Sequence, residues 1–121
     1  MFTKRETVTL TTAADGSVIG YSTPVNGRVL SIRYVKTDFA DGVDFAITTE
    51  TSGQQIWAQD NVNASATKAP RQAVHNTAGV AAEYTTGFAI VEPVVVADER
   101  IKISITNGGD TKSGTFHITI G

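Results

Sequence analysis

Two histidines, His75 and His117, are the only imidazoles in this sequence, and histidine is the commonest catalytic acid or base in proteins. A hydrolase would need a nucleophile and an orienting carboxylate beside one of them. Serine and threonine are abundant, but no nucleophile-elbow motif places a hydroxyl for attack. Zinc would need more ligands than two histidines supply. We therefore expect structural or interface roles for both histidines, no enzyme activity, and neither a metal nor a cofactor.

The densest acidic cluster is formed by Asp38, Asp41 and Asp44. Calcium binds several hard oxygen ligands from one flexible loop, and three carboxylates within a few residues could begin such a site. The spacing does not match the EF-hand loop, however, and the dipeptide Asp41-Gly42 is also an ordinary turn signal. A turn is the favoured interpretation, and a cation site is the alternative.

Trp57 and Tyr84 flank a region without hydrophobic periodicity. Exposed aromatic rings stack on sugars or bases, yet a small β-protein also needs aromatic side chains in its core, and core packing is the favoured interpretation. Basic residues do not alternate with the aromatic residues, so nucleic-acid binding is not expected. Lys68 and Arg71 give the region a local positive charge that suits the rim of a contact with an acidic partner. The candidate partner interface comprises Trp57, Lys68, Pro70, Arg71, His75 and Tyr84.

Composition is typical of one ordinary globular domain. The chain has 121 residues, of which 40% are hydrophobic, and a net charge of −2, which gives no general affinity for nucleic acid or anionic membranes. The absence of cysteine excludes disulfides and thiolate metal sites but leaves the compartment open. We expect no secretion signal, because no apolar stretch follows the charges of the N-terminus. The longest apolar run, Val94 to Ala97, is far too short for a membrane span.

The stretch from Ala97 to Gly121 has the clearest secondary-structure signal. Ile101, Ile103 and Ile105 alternate with polar residues, and so do Phe116, Ile118 and Ile120. Period-2 alternation indicates strands with one buried face. Glycines follow Asn107 in the intervening segment and provide the positive φ angles of a tight turn, which predicts a hairpin.

Upstream segments follow the same pattern and predict an all-β fold. Leu30, Ile32 and Tyr34 are expected to share a buried face, and Pro93 indicates an edge position or a bulge. Strands recur at roughly ten-residue spacing, with glycine and asparagine turns between them. The sequence therefore predicts a single-domain antiparallel β-sandwich, either jelly-roll-like or a small barrel. The predicted strands span residues 7–12, 18–22, 28–36, 43–50, 55–59, 88–96 and the two segments of 97–121.

Residues 60–87 lack this periodicity and predict one long irregular loop, with a short helical turn near residues 80–84. A loop of this length inside a compact domain is uncommon and usually functional or mobile. A polar loop on a rigid β-scaffold is well suited to reach a neighbouring subunit. The alternative is a mobile excursion without a partner.

Several stretches carry a resemblance to known proteins: Gly27–Tyr34, Asp41–Phe45, Asp60–Thr67 with Pro70-Arg71, Ala97–Ile103 and Gly114–His117. They resemble a group of small virion proteins of tailed bacteriophages, the minor capsid or decoration (cement) proteins. The resemblance implies an all-β module that forms a homotrimer, is made in the host cytoplasm and binds the major capsid protein on the outer surface of the phage head. A head–tail joining or tail component is the alternative within virion structure. From another class, a carbohydrate-binding module using Trp57, Tyr84 and the long loop is a further alternative.

Overall fold

A computed structural model describes residues 3–121, and these residues form two antiparallel sheets packed face to face. Met1 and Phe2 lie outside the described residues, and they belong to the N-terminal stretch in which no secretion signal is expected. Within residues 3–121 no helix has the length and hydrophobicity needed to span a membrane. The strands are β1 (Lys4–Thr11), β2 (Val18–Tyr21), β3 (Val25–Lys36), β4 (Val43–Thr49), β5 (Gln55–Val62), β6 (Ala66–Lys68), β7 (Arg71–Ala73), β8 (Glu83–Thr85), β9 (Phe88–Ala89), β10 (Val91–Glu99), β11 (Ile101–Thr106) and β12 (Ser113–Ile120).

The strands divide between the two sheets in an order that differs from their order in the chain. The first sheet runs β1-β12-β3-β10-β7, with β6 also paired to β3, and the second runs β2-β11-β4-β5. The short strands β8 and β9 pair with each other. No ladder joins the two main sheets within the described residues. The predicted antiparallel β-sandwich is therefore confirmed, and of the two predicted variants the fold is not a closed barrel.

The core lies between the sheets and is centred on aromatic rings from both of them. Phe45 on β4 packs edge to face against Trp57 on β5, with ring centroids 4.7 Å apart. The same Phe45 ring lies 5.2 Å from Phe116 on β12 and 5.4 Å from Tyr34 on β3. Edge-to-face and tilted geometries of this kind add to the stabilisation that burial provides. The aromatic contacts therefore fix the two sheets against each other.

The hairpin predicted for Ala97–Gly121 is wrong, although both of its strands exist. β11 pairs with β2 and β4 in the second sheet, whereas β12 pairs with β1 and β3 in the first. The loop 107–112 crosses between the sheets, with positive φ at Asn107 and Gly109. Both strands bury one apolar face, and a strand of either sheet of a sandwich has this pattern. Alternation therefore gives the buried face but not the partner strand.

A second crossing loop packs against the first. The chain passes from β1 to β2, and so from the first sheet to the second, through residues 12–17. Gly108 N donates to Gly16 O at 2.9 Å, and Thr12 N donates to Lys112 O at 2.8 Å. These bonds satisfy backbone groups that would otherwise be unpaired at this end of the sandwich.

A bulge changes which residues of β3 face the core. Thr119 pairs with Ser31, but the next residue, Ile120, pairs with Val29, so Leu30 is an extra residue in the ladder. Val29 is fully buried and Leu30 only half-buried. The prediction that Leu30 shares the buried face is therefore wrong, because one extra residue reverses the alternation beyond it.

The structure does not show one irregular loop over residues 60–87: the segment holds the end of β5 and all of β6, β7 and β8, which its sequence does not reveal. The helical turn predicted near residues 80–84 is wrong, since Glu83–Thr85 is a strand. Pro93 lies where β10 pairs with β7 alone, before its ladder with β3 begins at Val94, which confirms the predicted edge position.

Candidate functional site

Residues 74–90, here called the arm, are inserted between β7 and β10 and contain the paired strands β8 and β9 and an isolated bridge between His75 and Ala81. The backbone of Ala82 hydrogen-bonds to both ends of the arm. Its N donates to Val74 O at 2.8 Å, and its O accepts from Ile90 N at 2.9 Å. Val74 N also donates to Ile90 O at 2.9 Å, so the first and last residues of the arm lie side by side. The arm is therefore a folded projection on the sandwich, with its own backbone pairing.

Each turn of the arm is held by a polar side chain. The Asn76 side-chain oxygen accepts from Ala78 N at 2.9 Å and from Val80 N at 3.1 Å. In the second turn, Glu83 Oε2 accepts from Gly87 N at 3.2 Å, and Gly87 has a φ of 85°. Asparagine and glycine allow these turns because asparagine hydrogen-bonds the following backbone and glycine adopts positive φ.

Large apolar side chains on the arm are exposed. Tyr84 is 70% exposed and Phe88 is 58% exposed, and their rings lie 5.9 Å apart. Val80 and Ile90 are also exposed, and so is Val91 at the start of β10, directly after the arm. Single exposed hydrophobic residues are common, whereas several on one short projection are typical of an interaction site. We call these five side chains the apolar surface of the arm.

The sequence-predicted interface residues do not all lie on one surface. Lys68 on β6 and Arg71 on β7 are exposed, and Arg71 is in the strand that leads into the arm. His75 and Tyr84 are exposed on the arm itself. Pro70 is buried, so it is not available for contact with a partner. Four of the six predicted residues thus remain candidates for an interface.

Trp57 is the second exception, because it belongs to the core. The favoured interpretation of core packing is confirmed for Trp57 and is wrong for Tyr84, which is exposed. Its indole is only 8% exposed, packs against Phe45, and donates from Nε1 to Gln59 Oε1 at 3.2 Å. A ring in this position has no free face for a sugar or a partner protein. The carbohydrate-binding alternative that used Trp57 and Tyr84 together therefore loses the first of its two rings.

Neither histidine has an orienting carboxylate within residues 3–121. His117 Nδ1 lies 3.3 Å from Thr7 Oγ1 on the neighbouring strand, and His75 pairs through its backbone with Ala81 in the arm. A hydroxyl beside an imidazole makes two parts of a nucleophilic triad, but the third part is missing from the hydrogen bonds of these residues. The geometry therefore provides no support for a hydrolytic site.

The three aspartates of the acidic cluster each have a different protein partner. Asp38 accepts from Ser113 N, and Asp41 forms an ion pair with Lys36. Asp44 accepts from Asn61 N at 2.8 Å, and hydrogen bonds from this amide and from the Asn107 side chain hold the Asp44 pKa below its ordinary value. Across the described residues, no group of three histidine, cysteine, aspartate or glutamate side chains could hold a metal ion. These carboxylates connect loops, in agreement with the favoured turn interpretation.

The outer face of the first sheet carries a polar feature that sequence reasoning missed. Arg5, Arg33 and His117 come from three different strands and lie around one depression of about 190 Å³. No sequence motif connects them, because their proximity results from the pairing of β12 with both β1 and β3. The only local signal is that each occupies a polar position in an alternating strand.

Comparison with known proteins leaves the family open. No protein-family model matches the chain, and no curated protein matches it significantly. Among solved structures, a chain in the structure of infectious bursal disease virus Gt strain aligns with 98% of this protein at 12% sequence identity and a TM-score of 0.33. The aligned region spans about a third (32%) of that viral chain. Similarity at this level supports no statement about function.

Proposed function

We propose that this protein is a structural virion component, a phage capsid decoration protein that binds the outer surface of the capsid shell and stabilises it. The observation that carries the proposal is the apolar surface of the arm, displayed on a rigid β-sandwich. The resemblance of several sequence stretches to phage head proteins supports the major capsid protein as the partner. Exposed Lys68 and Arg71 near the base of the arm suit an acidic rim on that partner.

The physical chemistry of the arm suits a repeated, individually weak contact. Full burial of one large apolar side chain contributes about 1.5–3 kcal/mol, and ordering the arm and the partner opposes part of that gain. A single arm therefore supports only modest affinity. A homotrimer, as the resemblance implies, would present three arms to neighbouring shell subunits and raise the overall affinity through effective concentration.

The proposal is tested by combining Tyr84→Ser with Phe88→Ser and measuring binding to purified capsids in a sedimentation assay. Both side chains are mostly exposed, so the variant should unfold at nearly the wild-type temperature while losing at least about tenfold in capsid binding. Ile19→Ser is the matched control, because Ile19 is 53% exposed but lies on β2, in the other sheet from the strands that carry the arm. This control should bind like wild type.

Two results would count against the proposal. If the double variant sediments with capsids as well as wild type does, the arm is not the contact surface. If the protein is absent from mature particles, it is not a decoration protein. Copy number separates decoration from the head–tail joining alternative, because a decoration protein covers the whole shell whereas a connector forms a single ring.

A further inference from the structure

The depression on the outer face of the first sheet is built from two adjacent cross-strand rows. One row runs Thr7, His117, Arg33 and Thr67 across β1, β12, β3 and β6. The next row, two residues along, runs Arg5, Thr119 and Ser31. Residues two apart on a strand point to the same side, and directly opposed residues have Cβ atoms about 5 Å apart. The two rows therefore concentrate their side chains on one small area of the sheet surface.

Positive charge in this area has no protein counter-charge. The ion pairs of residues 3–121 are Lys4–Glu6, Lys36–Asp41 and Arg100–Glu50, so neither Arg5 nor Arg33 takes part in one. The residues that line the depression include no carboxylate. Arg5 on β1 and Arg33 on β3 lie on the two sides of β12, so an anion bound over β12 would be attracted by both positive charges.

We propose that this depression binds a phosphoryl group, either inorganic phosphate or the terminal phosphate of a small ligand. Two guanidinium groups offer planar, bidentate donors and two positive charges, which match the charge of about −1.5 to −2 on a phosphate monoester. The hydroxyls of Ser31, Thr67 and Thr119 supply further donors to a tetrahedral oxyanion. A carboxylate has one charge and would leave the second guanidinium without a partner.

The volume of the depression and the position of His117 further restrict the kind of ligand that can bind. The volume of about 190 Å³ is below the roughly 300–1,000 Å³ of pockets that enclose a drug-sized molecule, so a phosphoryl group fits better than a whole nucleotide. His117 Nδ1 lies near Thr7 Oγ1, which leaves Nε2 as the ring nitrogen available to donate to the anion. This inference is independent of the capsid proposal, since the apolar arm takes no part in the depression.

The test is a titration of the isotopically labelled protein with inorganic phosphate at constant ionic strength, followed by the NMR signals of the His117 and Thr119 backbone amides. We expect a saturable shift at these amides in wild type. Arg33→Gln should weaken the binding at least tenfold, and Arg5→Gln should do the same. Lys102→Gln, which removes one positive charge from the second sheet, is the matched control and should leave binding unchanged.

Parallel titrations with acetate and with a short single-stranded oligonucleotide show which class of anion the depression binds. Phosphate binding that acetate does not compete away would support the assignment. Equal binding of acetate would overturn it in favour of a general carboxylate contact. Oligonucleotide binding without phosphate binding would overturn it in favour of a nucleic-acid surface. No shift at His117 and Thr119 in wild type would show that the depression is not a phosphate site.

Discussion

The Tyr34 ring packs in the core, while its hydroxyl has no hydrogen-bond partner among the described residues. Its ring lies 5.2 Å from Phe116 and 6.2 Å from Phe39, at the centre of the aromatic cluster. Its hydroxyl is the one buried side-chain polar group without a hydrogen-bond partner within residues 3–121. Burial, and then the negative charge of Asp41, raise the pKa of Tyr34 to about 12. The phenol is therefore neutral under all ordinary conditions, and its ring accounts for its stabilising contacts.

Replacing this residue by Tyr34→Phe should increase the free energy of unfolding by about 1 kcal/mol, because the ring contacts remain and an unpaired buried hydroxyl is removed. Urea unfolding monitored by Trp57 fluorescence measures the change. Tyr21→Phe is the control. Tyr21 is exposed, and its ring lies 4.1 Å from the Arg100 guanidinium, a contact that phenylalanine can keep, so stability should stay within about 0.5 kcal/mol. A clear loss of stability in Tyr34→Phe would mean that the hydroxyl has a partner.

At the scale of elements, Glu6 connects β1 of the first sheet to the chain just after β2 of the second. Glu6 accepts a hydrogen bond from Thr23 N at 3.0 Å and another from the Thr23 hydroxyl, and it forms an ion pair with Lys4 at 3.2 Å. Burial by itself raises the pKa of Glu6, but the hydrogen bonds from Thr23 and Lys4 outweigh it and hold the pKa below the ordinary value of 4.5. The carboxylate thus stabilises the junction between the sheets in its ionised form.

Because the folded-state pKa of Glu6 is lowered, its carboxylate stabilises the folded protein fully above about pH 4.5, the pKa of glutamate in the unfolded chain. This stabilisation is lost as the pH falls through the folded-state pKa. Glu6→Gln should therefore be less stable than wild type at neutral pH, and the difference should shrink on acidification. Urea unfolding at neutral pH and at about pH 3 measures it. Glu92→Gln, at an exposed position of β10, should show a smaller difference at neutral pH. A Glu6→Gln difference that does not change with pH would contradict this role.

On the scale of the whole molecule, the first and the last strand pair with each other in the sandwich, and the arm lies outside its two main sheets. Lys4 pairs with Ile120, so the first sheet requires both the first and the last strand. Such non-local pairing makes folding slow and cooperative. The arm, by contrast, begins and ends at a point where the backbone of Val74 meets that of Ile90. Its removal should therefore leave the two sheets intact.

Replacement of residues 75–89 by Asn-Gly should therefore preserve the fold. The register that pairs Val91 with Ala73 places Ile90 beside Val74, which is the spacing that a two-residue hairpin turn bridges. Because the arm side chains are mostly exposed, we expect the free energy of unfolding to change by no more than about 1 kcal/mol, while capsid binding is lost. Thermal unfolding and the sedimentation assay measure the two effects.

Deletion of residues 113–121 is the contrasting change, since it removes a strand from the middle of the first sheet and should abolish folding. If the arm-replaced protein instead unfolds at a much lower temperature than wild type, the arm contributes to the core. If it still binds capsids, the contact lies elsewhere on the sandwich.

The sequence by itself determined most strands and the face that each one buries. Alternation in Val43, Phe45 and Ile47, or in Ile101, Ile103 and Ile105, is a local property, and every one of these side chains is buried in the structure. Glycine and asparagine marked the turns, because few other residues adopt the backbone angles that a turn requires. The all-β class follows from these local patterns alone.

Only the tertiary structure decided which strands are neighbours. A strand with one buried face fits either sheet of a sandwich, so the pattern of β11 and β12 could not show that they lie in opposite sheets. The same limit applies to the bulge at Leu30 and to the meeting of Arg5, Arg33 and His117. Each of these depends on contacts between residues far apart in the chain, and those contacts are set by packing between whole sheets and not by local periodicity.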